Sequence, residues 1–280
     1  MASFANDQAE GLRRMLGQKT SRVVTFVSAA APADKQTLLL NLAACLNRIG
    51  SDVVLFDACH DAVGVATDLA PASSASLLEA ARGERAMDDV RHMTRHGFGI
   101  AALTRGTMPQ VSDQRPLADA FERLARGCSV LLADAELDEN GDLPIAAMAD
   151  GEIIVQVTNS ADSIVKAYGL IKRLNARLGR RAFAVLVCGA SDKEARLVHA
   201  NMAQAANRYL ALELRSVGSV PADRDLQRAA ILSRPIIDAF PMAAAAQALR
   251  RLATHFQTPA MPADAGGRTA ACARLVNAGV

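Results

Sequence analysis

Seven short apolar runs, rich in β-branched residues, alternate along this chain with segments that repeat their apolar residues at helical spacing. Most of the runs are apolar on both faces, as strands must be in a parallel sheet that helices cover. The alternation predicts βαβ units and a doubly wound, mostly parallel sheet with helices on both faces. Right-handed crossovers would gather the carboxyl ends of the strands at one edge, where ligands of such sheets bind. The predicted strands cover residues 22–28, 52–58, 97–103, 129–135, 152–158, 183–189 and 214–220.

Helical spacing is clearest in two of the intervening segments. Within 36–49, Leu39, Leu42 and Leu46 fall on one stripe, and 163–178 shows the same pattern. The alanine- and leucine-rich run 243–256 is interpreted as a terminal helix that packs on the sheet.

Composition limits the classes of protein to consider. The chain has 280 residues and a net charge of +2, which suits one large α/β domain and provides no basic field for binding nucleic acid. It has 5 cysteines, with no CxxC pair, no secretory h-region and no apolar run long enough to span a membrane. We expect a soluble cytoplasmic protein with an N-terminal segment 1–20, an α/β domain 21–256 and a flexible tail 257–280.

The first predicted strand leads into a turn and a helix in the order of a phosphate-binding loop. Such a loop follows G-x-x-x-x-G-K-[ST], in which backbone N–H groups surround the phosphates, the Lys offsets their charge and the hydroxyl holds Mg²⁺. Lys35 stands at the Lys position, but Gln36 replaces the hydroxyl. Ala29 and Asp34 replace the glycines, and each contact of the Asp34 carboxylate with a phosphate would cost on the order of a few kcal/mol. By this motif alone, a turn with an incidental lysine is the better interpretation.

The neighbouring residues resemble the opening of the MinD/ParA ATPases, where S-G-K-G-G-V-G-K-T and N-L-A precede a strand that ends in D-x-D. DQAEGLR at 7–13 is similar to the D-Q-A-x-x-L-R motif of the FlhG/FleN flagellar regulators within that family, and is the most specific part of the resemblance. The similarity covers roughly residues 7–256 and implies a P-loop NTPase fold of the MinD/ParA type. The positions that match the family's opening are Ser28, Lys35, Asn41, Leu42, Ala43, Gly50 and Asp57.

The departures from the family pattern are at positions that take part in nucleotide binding and hydrolysis in the family. Ala30 replaces the lysine that reaches the partner's nucleotide in the family's dimer, and Cys59 replaces the aspartate that positions water. Asp134 matches the family's acid that acts on Mg²⁺. The loop that follows, at 135–138, contains two carboxylates that the family pattern lacks. Several such losses should abolish hydrolysis, since one alone can cost about 10²–10³ in rate.

The resemblance therefore implies a pseudo-ATPase that regulates flagellar number or placement, with no catalytic residue and no bound cofactor. ATP with Mg²⁺ is the cofactor to test, at a vestigial site made of Lys35, Gln36, Asp57 and Asp134. The alternatives are a divergent MinD-type ATPase that still hydrolyses ATP, and a cellulose-secretion or partitioning relative on the same fold.

The N-terminal segment is the predicted partner-binding element. Asp7, Gln8, Leu12 and Arg13 match the family positions that contact FlhF, a signal-recognition-type GTPase that places flagella. The resemblance leaves open a flagellar transcription activator as second partner, a homodimer and recruitment to the cell pole or flagellar base. We expect no direct DNA binding, and weak or no membrane binding because the tail has little apolar surface.

Three other patterns have simpler interpretations. Cys59 beside His60 lacks a second pair of ligands, and His92 with His96 would make a two-ligand helical site that a solvated helix face explains better. We therefore predict no metal site. A basic run could touch an acidic partner or DNA, but a solvent-facing helix end explains it equally well; it consists of Lys172, Arg173, Arg177, Arg180 and Arg181.

Overall fold

The computed structural model describes residues 21–59, 66, 69–71 and 73–257 and shows one eight-stranded sheet in that part of the chain. The strand order is β3-β4-β2-β5-β1-β6-β7-β8, and every pair is parallel except β3 with β4. The strands are β1 Arg22–Ser28, β2 Val53–Ala58, β3 His92–Met93, β4 Gly99–Ala102, β5 Val130–Ala135, β6 Glu152–Thr158, β7 Phe183–Cys188 and β8 Leu214–Val220.

Helices connect these strands, as the alternating pattern predicts. Short 3₁₀ turns lie at Met87–Asp89, Val111–Asp113 and Ala146–Ala149. The α-helices of the described residues are α1 Pro32–Arg48, α2 Leu77–Ala81, α3 Gln114–Arg126, α4 Ala161–Leu178, α5 Asp192–Leu210, α6 Arg224–Ile231, α7 Ile236–Ala239 and α8 Ala244–Gln257.

The core lies in two layers, one on each face of the sheet. Along β1, Val24 and Phe26 point into the layer under α1 and α8, while Val27 points into the opposite layer. This alternation within a fully buried strand is the reason why the runs are apolar at nearly every position. The predicted fold class is confirmed, and all seven predicted strands are present.

Three sequence-based assignments need correction. Helix α1 begins at Pro32, whereas the helical spacing in the sequence begins at 36, so that residues 32–35 form its first turn. Proline is favoured at the start of a helix and alanine within it, and these preferences prevail over the loop expected from the motif. Gln257, assigned to the tail, is the last residue of α8.

His92 and His96 do not share a helix face, since His92 lies in the short strand β3 and His96 in the turn that follows it. Segments 1–20 and 258–280 lie outside the described residues. No helix in the described part of the chain combines the length and apolar composition that a membrane span needs.

Candidate functional site

Three of the four predicted site residues meet at the carboxyl ends of adjacent strands. Strand β5 lies between β2 and β1, which places Asp134 of β5 beside Asp57 of β2. Lys35 reaches the same place from the first turn of α1. Gln36, the fourth residue, is half-buried and carries an amide where a magnesium-binding hydroxyl would be needed.

The turn after β1 does not offer the ring of amides that a phosphate-binding loop provides. It spans only Ala29–Ala31 before helix α1 begins. The Ala29 N–H donates to the Gln156 carbonyl (2.9 Å) and the Ala30 N–H to Ser28 Oγ (3.0 Å). Pro32 has no N–H, and the amides of 34 and 35 donate to the Ala31 carbonyl. Of the backbone amides of residues 29–35, at most two, those of 31 and 33, are left for a ligand.

Lys35 is bound to the protein itself. Its ammonium lies 2.6 Å from Asp134 Oδ1 and 3.5 Å from both Glu136 Oε1 and Cys59 Sγ, and the residue is 4% exposed. Burial is the largest single influence on the pKa of Lys35 and lowers it, but Asp134, Cys59 and Glu136 together raise it by more, so the net shift is upward. The lysine therefore stays charged and neutralises the acid of β5.

Asp134 and Asp57 are both held in this buried cluster. Burial raises the pKa of Asp134 to about 6, although Lys35 opposes the shift. Burial likewise raises the pKa of Asp57, against the effect of two backbone hydrogen bonds. Those bonds come from the N–H groups of Cys59 (3.1 Å to Oδ1) and Ala66 (2.8 Å to Oδ2). Asp57 thus binds the backbone at Cys59 and at Ala66.

Asp57, Cys59 and Asp134 could in principle hold a cation, since one ligand atom from each lies within 4.8 Å of the other two. They do not fit Mg²⁺ with a nucleotide. Magnesium prefers six oxygen ligands in octahedral geometry, and this set has a thiol and no hydroxyl. Asp134 Oδ1 is also already paired with the Lys35 ammonium. Burial raises the pKa of the Cys59 thiol, so it is not a ready thiolate ligand.

A cavity of about 680 Å³ lies beside the turn, between residues 28–34 and the first turns of α4. Asp34 and Asp162 line it together with Lys166 and Arg173. Lys166 pairs with Asp162 at 2.8 Å, and Arg173 reaches the Asp138 carbonyl at 3.4 Å. The cavity therefore carries charges of both signs, unlike a cradle for a triphosphate.

Sequence reasoning missed the use that the structure makes of several side chains. The basic run is largely engaged within the domain: Arg177 pairs with Asp142, and Arg181 donates to two backbone carbonyls. The contact of Glu136 with Lys35 had a signal in the sequence, because a carboxylate two residues after Asp134 lies at the same sheet edge. The four predicted partner-binding residues, Asp7, Gln8, Leu12 and Arg13, lie outside the described residues.

Known proteins resemble this chain in sequence and in fold. No family model matches the sequence. The antiactivator FleN of Pseudomonas aeruginosa is 26% identical over 91% of this chain and 93% of its own length.

Solved structures share the fold. A chain of the MinC:MinD cell division protein complex of Aquifex aeolicus has a TM-score of 0.64 at 18% identity, covering 86% of this chain and 98% of its own. A ParA family ATPase from Chlorobium tepidum has a TM-score of 0.64 at 15% identity, covering 84% of this chain and 100% of its own. MinD from Pyrococcus horikoshii, solved with Mg-ADP, has a TM-score of 0.61 at 17% identity, covering 84% and 95%.

Proposed function

Because the chain belongs to the FlhG/FleN type of the MinD/ParA family, we propose that it regulates flagellar biosynthesis, in number or placement, by binding other proteins. Its curated relative FleN is named an antiactivator, a role that consists of restraining another protein. We further propose that this regulation does not depend on a cycle of ATP binding and hydrolysis.

The observation that carries the second proposal is the buried ion pair between Lys35 and Asp134. A nucleotide could use the lysine only after this pair had opened, and an uncompensated buried charge costs about 3–5 kcal/mol. The incoming phosphates would also meet the carboxylates of Asp34 and Glu136, both of which are exposed at this edge. Few backbone amides remain in the turn to offset these costs.

One observation favours the alternative, a divergent MinD-type ATPase. Lys35, Asp57 and Asp134 still converge at the strand ends, and a protein of the same fold, MinD from Pyrococcus horikoshii, was solved with Mg-ADP. An ATPase that had rebuilt its site around these three residues would need to release the lysine from Asp134 on binding.

The partner-binding element in this proposal is segment 1–20, which would capture an FlhF-type GTPase through Asp7, Gln8, Leu12 and Arg13. Strand β1, which segment 1–20 precedes in the sequence, begins at the amino-terminal edge of the sheet, opposite the edge that holds Lys35. A flagellar transcription activator would be a second partner. The proposal places the protein in the cytoplasm, recruited to the cell pole or flagellar base, without direct DNA binding and with weak or no membrane binding.

Calorimetric titration of the full chain with Mg-ATP tests the nucleotide proposal. We expect no saturable heat up to about 1 mM nucleotide and no phosphate release. The matched control is a variant with Ala30→Lys, Asp34→Gly and Gln36→Thr, which restores three family positions. Micromolar binding with turnover by the natural chain would contradict the proposal and favour the ATPase.

Stimulation of an FlhF-type GTPase by the full chain tests the partner proposal. Gln8→Ala should reduce both binding and stimulation, whereas Gln18→Ala, in the same segment but outside the motif, should leave them unchanged. Equal loss in both variants, or none in either, would argue against capture through the motif.

A further inference from the structure

The last turn of α6 presents two aliphatic side chains to solvent. Ile231 is 83% exposed and Leu232 is 55% exposed. The helix secures itself to the domain through its other face, where Ala229 is buried and Leu226 packs against the same core layer. Neither exposed side chain belongs to the core layers formed by the described residues. The two side chains form a small contiguous apolar patch, and polar groups surround it.

The backbone fixes this pair in place. Ser233 adopts a φ of 51°, and its N–H donates to the Ala230 carbonyl while the Arg234 N–H donates to that of Ala229. These two bonds form a Schellman cap, which usually has glycine at the left-handed position. The Arg95 guanidinium also donates to the Ser233 carbonyl at 3.0 Å. The aliphatic pair is thus held on a rigid turn, which reduces the entropy lost on binding.

Arginines surround the pair. Arg228 lies one turn before it, stacks over the Phe240 ring at 4.6 Å and pairs with Asp225 at 2.7 Å. The guanidinium of Arg234 donates to the Asp238 carbonyl. Among the described residues, no carboxylate lies within ion-pair distance of Arg95, Arg224 or Arg234. The surface therefore carries an excess of positive charge around an apolar centre.

We propose that the α6 tip, made of Arg228, Ile231, Leu232, Ser233 and Arg234, docks an acidic amphipathic helix of a partner protein. The apolar face of that helix would cover the aliphatic pair, and its carboxylates would meet the guanidinium groups. Arginine forks match carboxylates in bidentate geometry. An anionic membrane shares the charge, but two aliphatic side chains bury little area in a lipid surface. The surface is separate from segment 1–20 and does not depend on capture by that segment.

Fluorescence anisotropy with the full chain tests this docking. The probe is a designed helical peptide about 18 residues long, with a leucine stripe flanked by glutamates. The same peptide with lysines in place of the glutamates tests the role of charge, and vesicles of phosphatidylglycerol and phosphatidylcholine test a membrane surface. The variant Ile231→Ser/Leu232→Ser removes the apolar centre. Leu197→Ser, on α5 and 63% exposed in the natural chain, is the matched control.

We expect the glutamate peptide to bind and the lysine peptide not to bind. The double variant should weaken binding about tenfold, while the control binds as the natural chain does. Arg234→Glu should also weaken binding and flatten its dependence on salt. The proposal would be overturned if the glutamate peptide did not bind, or if Leu197→Ser lost as much binding as the double variant. It would also be overturned if the chain bound only to the vesicles, or if it associated with itself in a way that depends on Ile231.

Discussion

The ammonium of Lys35 forms a buried ion pair with the carboxylate of Asp134, the acid at the end of the neighbouring strand β5. In a working phosphate-binding loop, the equivalent lysine neutralises phosphate. Here it neutralises the protein's own acid, so the residue that most resembles a nucleotide ligand is part of the core. Its substitution should therefore affect folding, and this can be measured without any nucleotide.

Replacing Lys35 by alanine should lower the free energy of unfolding by about 3–5 kcal/mol, because it leaves the Asp134 carboxylate buried and uncompensated. Urea denaturation measures the change. The double variant Lys35→Met/Asp134→Leu should lose less than Lys35→Ala, since it removes both charges. The control is Lys166→Ala, which breaks an exposed pair and should change stability by less than about 0.5 kcal/mol. Similar small losses in Lys35→Ala and Lys166→Ala would mean that the buried pair has no structural role.

The stability of the folded chain should carry a pH dependence that comes from Asp134. Burial raises its pKa to about 6, above its value in the unfolded chain, so the folded state binds the proton more tightly. The stability gained from this tighter proton binding is fully present below the pKa of Asp134 in the unfolded chain, about 4. It is lost as the pH rises through 6. Asp57 contributes with the same sign, because burial raises its pKa as well.

Asp134→Asn isolates the effect of the single carboxyl group. The free energy of unfolding of the natural chain minus that of the variant should fall as the pH rises from about 4 to 6, by on the order of 2 kcal/mol. Chemical denaturation at several pH values gives both quantities. A difference that stays flat over this range would show that Asp134 does not titrate there.

Strand positions could be read from the sequence because burial on both faces forces an apolar residue at nearly every position, as in 152–158. The meeting of Lys35, Asp57 and Asp134 could be predicted as well, since each follows or ends a parallel strand. The ion pair between Lys35 and Asp134 could not be predicted from the sequence, because it depends on the helix beginning at Pro32. The strand β3 has two residues, too few for a period-2 pattern. The cap at Ser233 carries no glycine to signal it.

Asn41, one of the residues that match the family's opening, should be important for stability. It is nearly buried, and its Oδ1 accepts the Ile236 N–H at 2.7 Å while its Nδ2 donates to the Thr37 carbonyl. Asn41→Ala leaves a buried N–H without a partner and should cost about 1–3 kcal/mol in urea denaturation. Gln247→Ala removes an exposed amide with one backbone bond and should cost less than about 0.5 kcal/mol. Equal costs in the two variants would contradict the role given to burial.

Three of the described cysteines, Cys45, Cys59 and Cys128, should be slow to react with alkylating agents at pH 8 in the folded chain. Burial raises the pKa of Cys45 to about 12 and that of Cys128 to about 11, and it raises the pKa of Cys59 as well. Because the thiolate is the reactive form, few molecules carry a nucleophile at these positions. Iodoacetamide labelling followed by mass spectrometry should show slow modification of all three, and rapid modification in urea. Fast labelling of Cys59 in the folded chain would show that its cluster is open to solvent.

Ser233→Gly should stabilise the chain, because Ser233 holds a left-handed backbone at a φ of 51° that glycine adopts without steric cost. The expected gain is about 0.5–1 kcal/mol in the free energy of unfolding, since the larger freedom of glycine in the unfolded chain offsets part of the relief. Ala211→Gly, at the C-cap of α5 with a φ of 50°, should gain a similar amount. Ser216→Gly, at an extended position in β8, should instead lose stability. A loss in Ser233→Gly would mean that the serine hydroxyl, and not the backbone angle, determines the cap that holds Ile231 and Leu232 in place.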